Sequence, residues 1–414
     1  MGGMRRMGRL SALVAVVLVT CAATDGAEKD GDYLKPGTNT EDAGALMVKA
    51  FNAFSMDLYK KAGSATEGNV VLSPLSAGLL LALTRIASGG VTAQELGRAL
   101  HLPQYERVVA QGAKALVSSL QPPQNPSGNA VLRLANRLYA QRGLRLMKDF
   151  VGKARNYFEA DAQELDFHND QEATRDAINQ WVEEYTAGKI KEFMPKEWPA
   201  TGSMMVLVNA VYLKADWLNP FDKTELRRFY LSSTSEVDVL TMCQIASLNF
   251  GNLQQLNATA LELPVKGGRL KMVFILPYSV DGLPQLEAHL DHLNIKAIPW
   301  KERTVAVSLP KFHIEATHDL VSQLKELGVQ ELFTTNANLF WIAEEEAYVT
   351  DALQKTFIDV NELGIEAAAA SGMAVLPKHS TIPAEFDANH PFLFFITNEE
   401  AILFLGRVKD PRQK

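Results

Sequence analysis

Cysteine is scarce in this chain: Cys21 and Cys243 are the only two in 414 residues, too few for a disulfide-held scaffold. Long apolar runs are missing too. Leu10 to Val19 falls short of the roughly 20 residues that a bilayer core of ~30 Å requires. Positive charge is not in excess, since Lys+Arg 41 against Asp+Glu 48 gives −7, and a nucleic-acid footprint is excluded. No GxSxG elbow, HExxH pair, Walker loop or dinucleotide fingerprint occurs, so the common hydrolase, metalloprotease and nucleotide-binding chemistries have no foothold. What is present is 47% hydrophobic and 21% charged, an ordinary globular composition with length for a large core. No linker or repeat divides it. One large domain is expected.

The N-terminus carries an address. Arg5, Arg6 and Arg9 precede the apolar run, which leads into Cys21-Ala22-Ala23. A basic region, a short apolar region and a small-residue exit read as a secretory signal over 1–23, cleaved after Ala23 or near Gly26–Ala27. A lipoprotein reading at Cys21 is disfavoured by Thr20 before it. Cleavage removes three arginines and no acid, taking −7 to −10, and leaves Cys243 alone. An exported chain with one cysteine forms no internal bridge and depends on packing. Residues 24–41 are polar and rich in Asp, Glu, Gly and Thr, a flexible N-terminus; the folded domain is 42–414.

Early segments have helical period. Met47, Ala50, Phe51, Phe54 and Leu58 step by three or four on a helix over 41–61. Leu75 to Ala87 reads as a buried helix with Ser73 as N-cap and Pro74 first. Thr92 with Glu95 reads as a capping box for the next, and 170–184 continues the style. Strands dominate later, at 204–213, 260–264, 271–276 and 304–309. Two apolar runs, 391–396 and 401–408, flank Thr397-Asn398-Glu399-Glu400 as a hairpin. Helices first and strands later give the α+β class.

Candidate chemistry is thin. His289 and His292 around Asp291 have the spacing of a metal pair, though exposed histidines on a polar helix are the commoner case. Gly267-Gly268 reads as a hairpin turn rather than an anion cradle. Cys243 reads as an inert buried thiol. Asn257-Ala258-Thr259 is a glycosylation sequon. No metal site, cofactor or catalytic group is assigned, and the chain is not read as an enzyme.

One segment stands apart. Asn361 to Asn389 lacks a core pattern, and loops of that length in compact domains are usually functional. Its first half, Gly364-Ile365-Glu366-Ala367-Ala368-Ala369-Ala370-Ser371-Gly372-Met373-Ala374-Val375-Leu376, carries one charge and no proline. Read with period two, Ile365, Ala367, Ala369, Ser371, Met373 and Val375 share one small or apolar face. Such a face fits between two strands, where charge would be desolvated. By propensity the alanine run is instead a helical turn, too short to hold alone.

With its flanks, this segment resembles the hinge of the serpins, entered by Val360-Asn361-Glu362. Phe386-Asp387-Ala388-Asn389-His390-Pro391-Phe392 followed by Ile402-Leu403-Phe404-Leu405-Gly406-Arg407-Val408 is similar to that family's C-terminal signature. Asn69-Val70-Val71-Leu72-Ser73-Pro74-Leu75-Ser76 resembles its shutter segment. Ala135-Asn136-Arg137-Leu138-Tyr139, Asn179-Gln180-Trp181-Val182 with Thr186-Ala187-Gly188-Lys189-Ile190, Val208-Asn209-Ala210-Val211-Tyr212 and Asp216-Trp217-Leu218-Asn219-Pro220-Phe221 match in order. The resemblance runs from Leu46 to Pro411.

It implies a serpin fold: a five-stranded central sheet, two smaller sheets, eight or nine helices and an exposed reactive loop over about 362–385. It also implies suicide inhibition, in which a protease cleaves the loop and the loop inserts as a strand before the acyl-enzyme hydrolyses; serpin insertion is a standard example of strand addition. The implied hinge is Glu362, Gly364, Ile365, Glu366, Ala367, Ala368, Ala369, Ala370 and Ser371. The implied shutter and breach residues are Ser73, Ser76, Asn209, Trp217 and Gln354. Leu363 and Ile365 depart from the usual hinge residues, and Gln354 stands where a histidine is common. Gln can bond Ser73 or Asn209 without titrating.

Counting forward from Gly364 gives a reactive bond at Lys378–His379; counting back from Ile382 gives Ser380–Thr381. Lys378 is the only Lys or Arg between Gly364 and Ile382, which suits a trypsin-like pocket. The expected partner is therefore a trypsin-like serine protease held covalently, with no nucleic acid, no membrane and a monomeric, secreted inhibitor. The alternative class is a non-inhibitory carrier, storage protein or chaperone, whose hinges commonly hold bulky, charged or proline residues. Residues 106–121 hold only Arg107 and Lys114 as cations, so strong heparin activation through that helix is not expected.

Overall fold

A computed structural model describes residues 40–120, 130–196, 198, 202–365, 382–398 and 400–413. The leader at 1–23, the polar stretch that follows it, and the loop segment from Glu366 through Ser371 to Thr381 lie outside the described residues. Lys378, His379 and Ser380 lie outside with it.

Four helices come early: α1 (Thr40–Ala65), α2 (Pro74–Ile86), α3 (Gly90–Ala99) and α4 (Glu106–Leu120). The stripe Met47, Ala50, Phe51, Phe54, Leu58 is buried along α1 as its period requires. In α2 every residue but Arg85 is buried, which is why its sequence is apolar all round. Then follow α5 (Lys148–Tyr157), α6 (Gln171–Tyr185), α7 (Leu283–Ala288) and α8 (Leu320–Glu326). Asp170 caps α6 through Ala173 N–H. None of these helices is long and apolar enough to cross a membrane.

Two cap assignments differ from expectation. α3 starts at Gly90, ahead of Thr92, whose hydroxyl goes to Glu331. Glu95 accepts the backbone N–H groups of Gln330 and Glu331, closing a turn remote in sequence. Ser73 does occupy the N-cap position of α2, but its hydroxyl donates to Leu403 O at 2.8 Å instead of capping. In both cases a buried tertiary acceptor outcompetes the local one.

Strands β1 (Val70–Leu72), β2 (Val131–Gln141), β3 (Ala160–Leu165), β4 (Met205–Asp216), β5 (Lys223–Ser232), β6 (Ser235–Leu253), β7 (Ala258–Pro264), β8 (Lys271–Pro277) and β9 (Lys301–Pro310) precede β10 (Phe312–Asp319) and β11 (Val349–Asn361). After them come β12 (Gly364–Ile365), β13 (Ala384–Asp387), β14 (Phe392–Thr397) and β15 (Ile402–Val408). The central sheet has the order β10-β11-β12-β4-β2-β3, the five expected long strands plus a strand of two residues. The remaining strands, β1-β15-β14-β8-β7-β6-β9-β13 with β5 on β6, are hydrogen-bonded as one sheet of nine. The two smaller sheets of the expected fold are joined because the 19 residues of β6 run through both.

Turn chemistry follows the sequence. β7 and β8 meet at Gly267 and Gly268, whose φ of +93° and +72° only glycine adopts freely. β14 and β15 form the C-terminal hairpin, with every side chain buried, as its unbroken apolar run demands. α2 and β1 lie under the central sheet and tie it to β15 through one continuous core.

Candidate functional site

The site is an incomplete seam between the two middle strands of the central sheet. β4 and β11 are parallel and paired from Met205 and Val349 to Tyr212 and Phe357. Beyond that the strands part, and β12 stands at the mouth of the gap. It is antiparallel to both neighbours: Ile365 lies opposite Val360 and Ala215, and Gly364 opposite Asn361 and Asp216. Gly364 and Ile365 of the expected hinge are thus already strand residues.

The turn before them is pinned by backbone. Asn361, Glu362 and Leu363 offer consecutive carbonyls, which accept from Trp217 Nε1 at 2.9 Å, Phe221 N at 2.9 Å and Trp217 N at 2.8 Å. Trp217 is 1% exposed and packs edge-on to Phe221. Asn361 Oδ1 accepts Leu363 N–H at 3.0 Å, an Asx turn. The Glu362 carboxylate accepts from Thr224 and from Lys311 Nζ at 2.9 Å. Burial opposes its ionisation, yet those bonds prevail and hold its carboxyl below the usual glutamate range. A Cβ on Gly364 would stand 2.1 Å from Ala215 O, so only glycine enters this gap. Ile365 is 1% exposed; its β-branched apolar side chain suits the strand.

Lower on the same seam lies a row of polar residues. Asn136 faces Asn209, Asn209 faces Gln354, and Gln354 faces His318 across four strands. Gln354 Nε2 donates to Asn209 Oδ1 at 2.5 Å and to Ser73 O at 2.9 Å, while its Oε1 accepts Ser73 N–H at 2.9 Å. Asn209 Nδ2 donates to Ser76 Oγ at 2.7 Å and to Asn136 Oδ1. His318 Nε2 and Thr356 Oγ1 both donate to Val71 O at 2.9 Å. Burial lowers the His318 pKa, partly offset by the bond to Val71, so the ring is kept neutral. All of these groups are buried, where such bonds count most and orphans cost most.

The structure therefore joins Ser73, Ser76, Asn209 and Gln354 in one network, and Trp217 and Phe221 to the turn at Asn361, Glu362 and Leu363 in another. Gln354 bonds Ser73 and Asn209 together, where the sequence left either open. Asn136, which accepts from Asn209 and Ser76, and His318, which stands opposite Gln354 but bonds Val71, were not singled out by the residue pattern. The signal was available: a polar residue inside an apolar strand needs a buried partner. Elsewhere, Cys243 is buried and unbridged. His289 and His292 stack at 6.1 Å, and no group of three metal-binding side chains occurs among the described residues. Asn257 is exposed, in a left-handed conformation at φ +48°.

A polar seam across a parting sheet, with the two-residue strand Gly364–Ile365 at its mouth, is the site the fold builds. Comparison with known proteins agrees. The model of the serpin (serine protease inhibitor) family matches residues 49–411. The chain is 36% identical to the leukocyte elastase inhibitor of Xenopus tropicalis, over 88% of this chain and 99% of that protein. Among solved structures, Serpin48 of the insect Tenebrio molitor, described as a highly specific serpin, superposes with a TM-score of 0.82 at 33% identity, covering 88% of this chain and 98% of that one. Human thyroxine-binding globulin, solved with its hormone, gives 0.78 at 26% identity, covering 89% and 99%. This chain belongs to the serpin family.

Proposed function

We propose that this serpin is a secreted suicide inhibitor of trypsin-like serine proteases. The observation that carries the reading is β12, already antiparallel to both β4 and β11 at the mouth of their gap. Continuing its two registers puts Ala367 opposite Leu213 and Ile358, and Ala369 opposite Val211 and Thr356, all core-facing. Ser371 then meets Asn209 and Gln354, and Val375 meets Met205. On that continuation, the face read from the sequence with period two would be the one turned to the core. Its one hydroxyl arrives at the polar row, where it can both donate and accept.

The mechanism follows from tethering. A protease attacks the loop at Lys378, or at Ser380, and becomes acylated. The freed segment then adds residue by residue from Ile365. From Gly364 to Lys378 is fifteen residues, and at about 3.4 Å each the protease is carried ~50 Å along the sheet. Deacylation needs an aligned oxyanion hole and base; dragging the serine away from both traps the ester. The family's description and the leukocyte elastase inhibitor relative support inhibition. Lys378 supports a trypsin-like target, and the leader at 1–23 supports export, under which Asn257 is a glycan acceptor.

The test is an equimolar mix with trypsin, resolved on a denaturing gel. A band at the summed mass that survives heat supports the reading. Cleaved chain with active trypsin refutes it and favours a second reading, a carrier. That reading has its own support in a cavity of about 700 Å³ lined by Val48, Asn52, Lys271, Leu293, Trp300 and Ile402, and in the thyroxine-binding relative.

A further inference from the structure

Two large aromatic side chains stand in solvent at one end of the central sheet. Phe340 is 64% exposed and Trp341 53%, and their rings meet edge to face at 4.9 Å. Exposed aromatics on a mobile loop carry no argument, but this loop is fastened on both sides. Leu339 and Ile342 are buried anchors. Asn338 O accepts Gly89 N–H, and Ile342 O accepts Met147 N–H at 2.9 Å. Glu344 N–H donates to Leu144 O and Arg145 O, and Ala343 bridges Leu146. The rings are held outward on a rigid frame, so covering them costs little ordering entropy.

The same contacts locate the pair. Leu144 to Met147 follow directly on β2, whose Ala140 lies opposite Met205, the first residue of β4. The aromatic pair is thus at the end of the sheet where β4 and β11 begin, the end opposite Gly364 and Ile365. Continued register brings Val375 to Met205, the last rung. Lys378 then lies three residues past the edge and Ser380 five, a reach of roughly 10–17 Å for an extended chain. Any protease esterified at either position is confined beside this end of the sheet at high effective concentration.

We propose that Phe340 and Trp341 form the docking surface for the acylated, translocated protease, a contact made only after insertion is complete. The inference rests on the inhibitory reading above. Rigid aromatics of this kind are the residues that anchor protein interfaces, and here the partner is delivered by the length of the loop rather than by diffusion. The contact holds the displaced enzyme against the sheet edge and opposes its return to a competent geometry.

Oxidative footprinting read by peptide mass spectrometry tests this on three forms of the full chain: native, cleaved without protease, and in covalent complex with trypsin. Phe340 and Trp341 are expected to be oxidised alike in the native and cleaved forms and protected at least threefold in the complex. Purified complex of the F340S/W341S variant is expected to release active trypsin at least fivefold faster than wild type. Equal oxidation of Trp341 in the cleaved and complexed forms overturns the proposal, whether or not the variant folds. Failure of the parent reading looks different: wild type then gives no covalent band, and both claims fall.

Discussion

Gly364→Ala tests the seam where it is tightest. The new methyl would lie 2.1 Å from Ala215 O and 2.7 Å from Asp216 Cα. Both are backbone atoms of β4, which cannot turn aside as a side chain can, so β12 must leave the sheet. Leaving exposes Ile365, whose burial is worth about 1.5–3 kcal/mol, and breaks short ladders to β4 and β11 at about 0.5–1.5 kcal/mol per bond. Partial relaxation brings the expected loss to ~2–4 kcal/mol. With an unfolding entropy of ~2.1 cal/mol/K per residue over some 375 residues, the melting midpoint falls by ~3–5 °C. Hydrogen exchange over 213–217 and 360–366 should rise together, because the same expulsion frees both strands. Against trypsin, insertion begins later and more ester hydrolyses first, so the moles of serpin consumed per mole of protease rise several-fold. Ile365→Ala is the control: it loses burial without the clash and should leave exchange at Asp216 close to wild type. Unchanged exchange and unchanged stoichiometry in Gly364→Ala would refute the seating of β12 between β4 and β11.

Gln354→Ala orphans Ser73 N–H and Asn209 Oδ1, while Ser73 O keeps Ala77 N–H, and at 1–3 kcal/mol per orphan the denaturant midpoint should report a loss of about 2–6 kcal/mol; a loss under about 1 would mean the row is not a clamp. His318, kept neutral by burial, has a folded pKa below its unfolded value near 6.5. Its contribution is therefore present above about pH 6.5 and lost as pH falls through the folded pKa; urea midpoints between pH 7.5 and 5 should drop for wild type and drop less for His318→Asn. Ala367→Arg places a charge against Leu213 and Ile358 on insertion, costing several kcal/mol, so trypsin should cut the variant and leave active; undiminished trapping would sink the face assignment. Nicking the loop between Met373 and Ser380 with a non-target protease should raise the melting midpoint steeply, whereas a cut in an ordinary loop lowers it by freeing the unfolded chain.

Helices and strands with one buried face were legible because their periodicity records burial directly: α1, α6 and the C-terminal hairpin fall where the pattern puts them. Caps were less legible. Thr92 and Glu95 have the spacing of a capping box, yet each serves the turn at Glu331, a segment more than 200 residues distant that no local rule reaches. Of the expected hinge, Glu362, Gly364 and Ile365 fall among the described residues, and the alanine run that marked it in the sequence lies outside them. That Gly364 and Ile365 are already in the sheet was not legible, because it depends on Trp217 and Phe221 donating to three backbone carbonyls, acceptors that carry no sequence signature. The polar row was half legible. Ser73, Asn209 and Gln354 came through family resemblance, while Asn136 and His318 needed the registers of β2 and β10. The aromatic pair Phe340–Trp341 was invisible, since exposure is a property of the fold and apolar residues in a sequence read by default as core.

The two halves of the seam act in opposite directions, and their order along the strand decides the behaviour of the whole. Entry at the top is easy. The turn is pinned, so on the proposed reading each added residue would be positioned by the one before, with only the methyls of Ala367 and Ala369 to bury. Two antiparallel ladders form where at most one parallel ladder breaks, so insertion runs downhill once under way. What delays it is the polar row, reached at Ser371 after three core-facing steps. There Gln354 would have to release Asn209, and that one buried bond across the gap, at about 0.5–1.5 kcal/mol, is the barrier contribution. At 1.36 kcal/mol per factor of ten, that would slow spontaneous insertion by roughly 2- to 13-fold. On the inhibitory reading proposed above, an intact loop, tethered at both ends, is expected to stop short of this row. On the same reading, cleavage would remove the distal tether, and the ladders forming behind the loop would drive it through. The glutamine sets this delay without a titrating group of its own. The histidine beside it bonds Val71 rather than Asn209, so acid weakens the support under the seam before it touches the clamp itself.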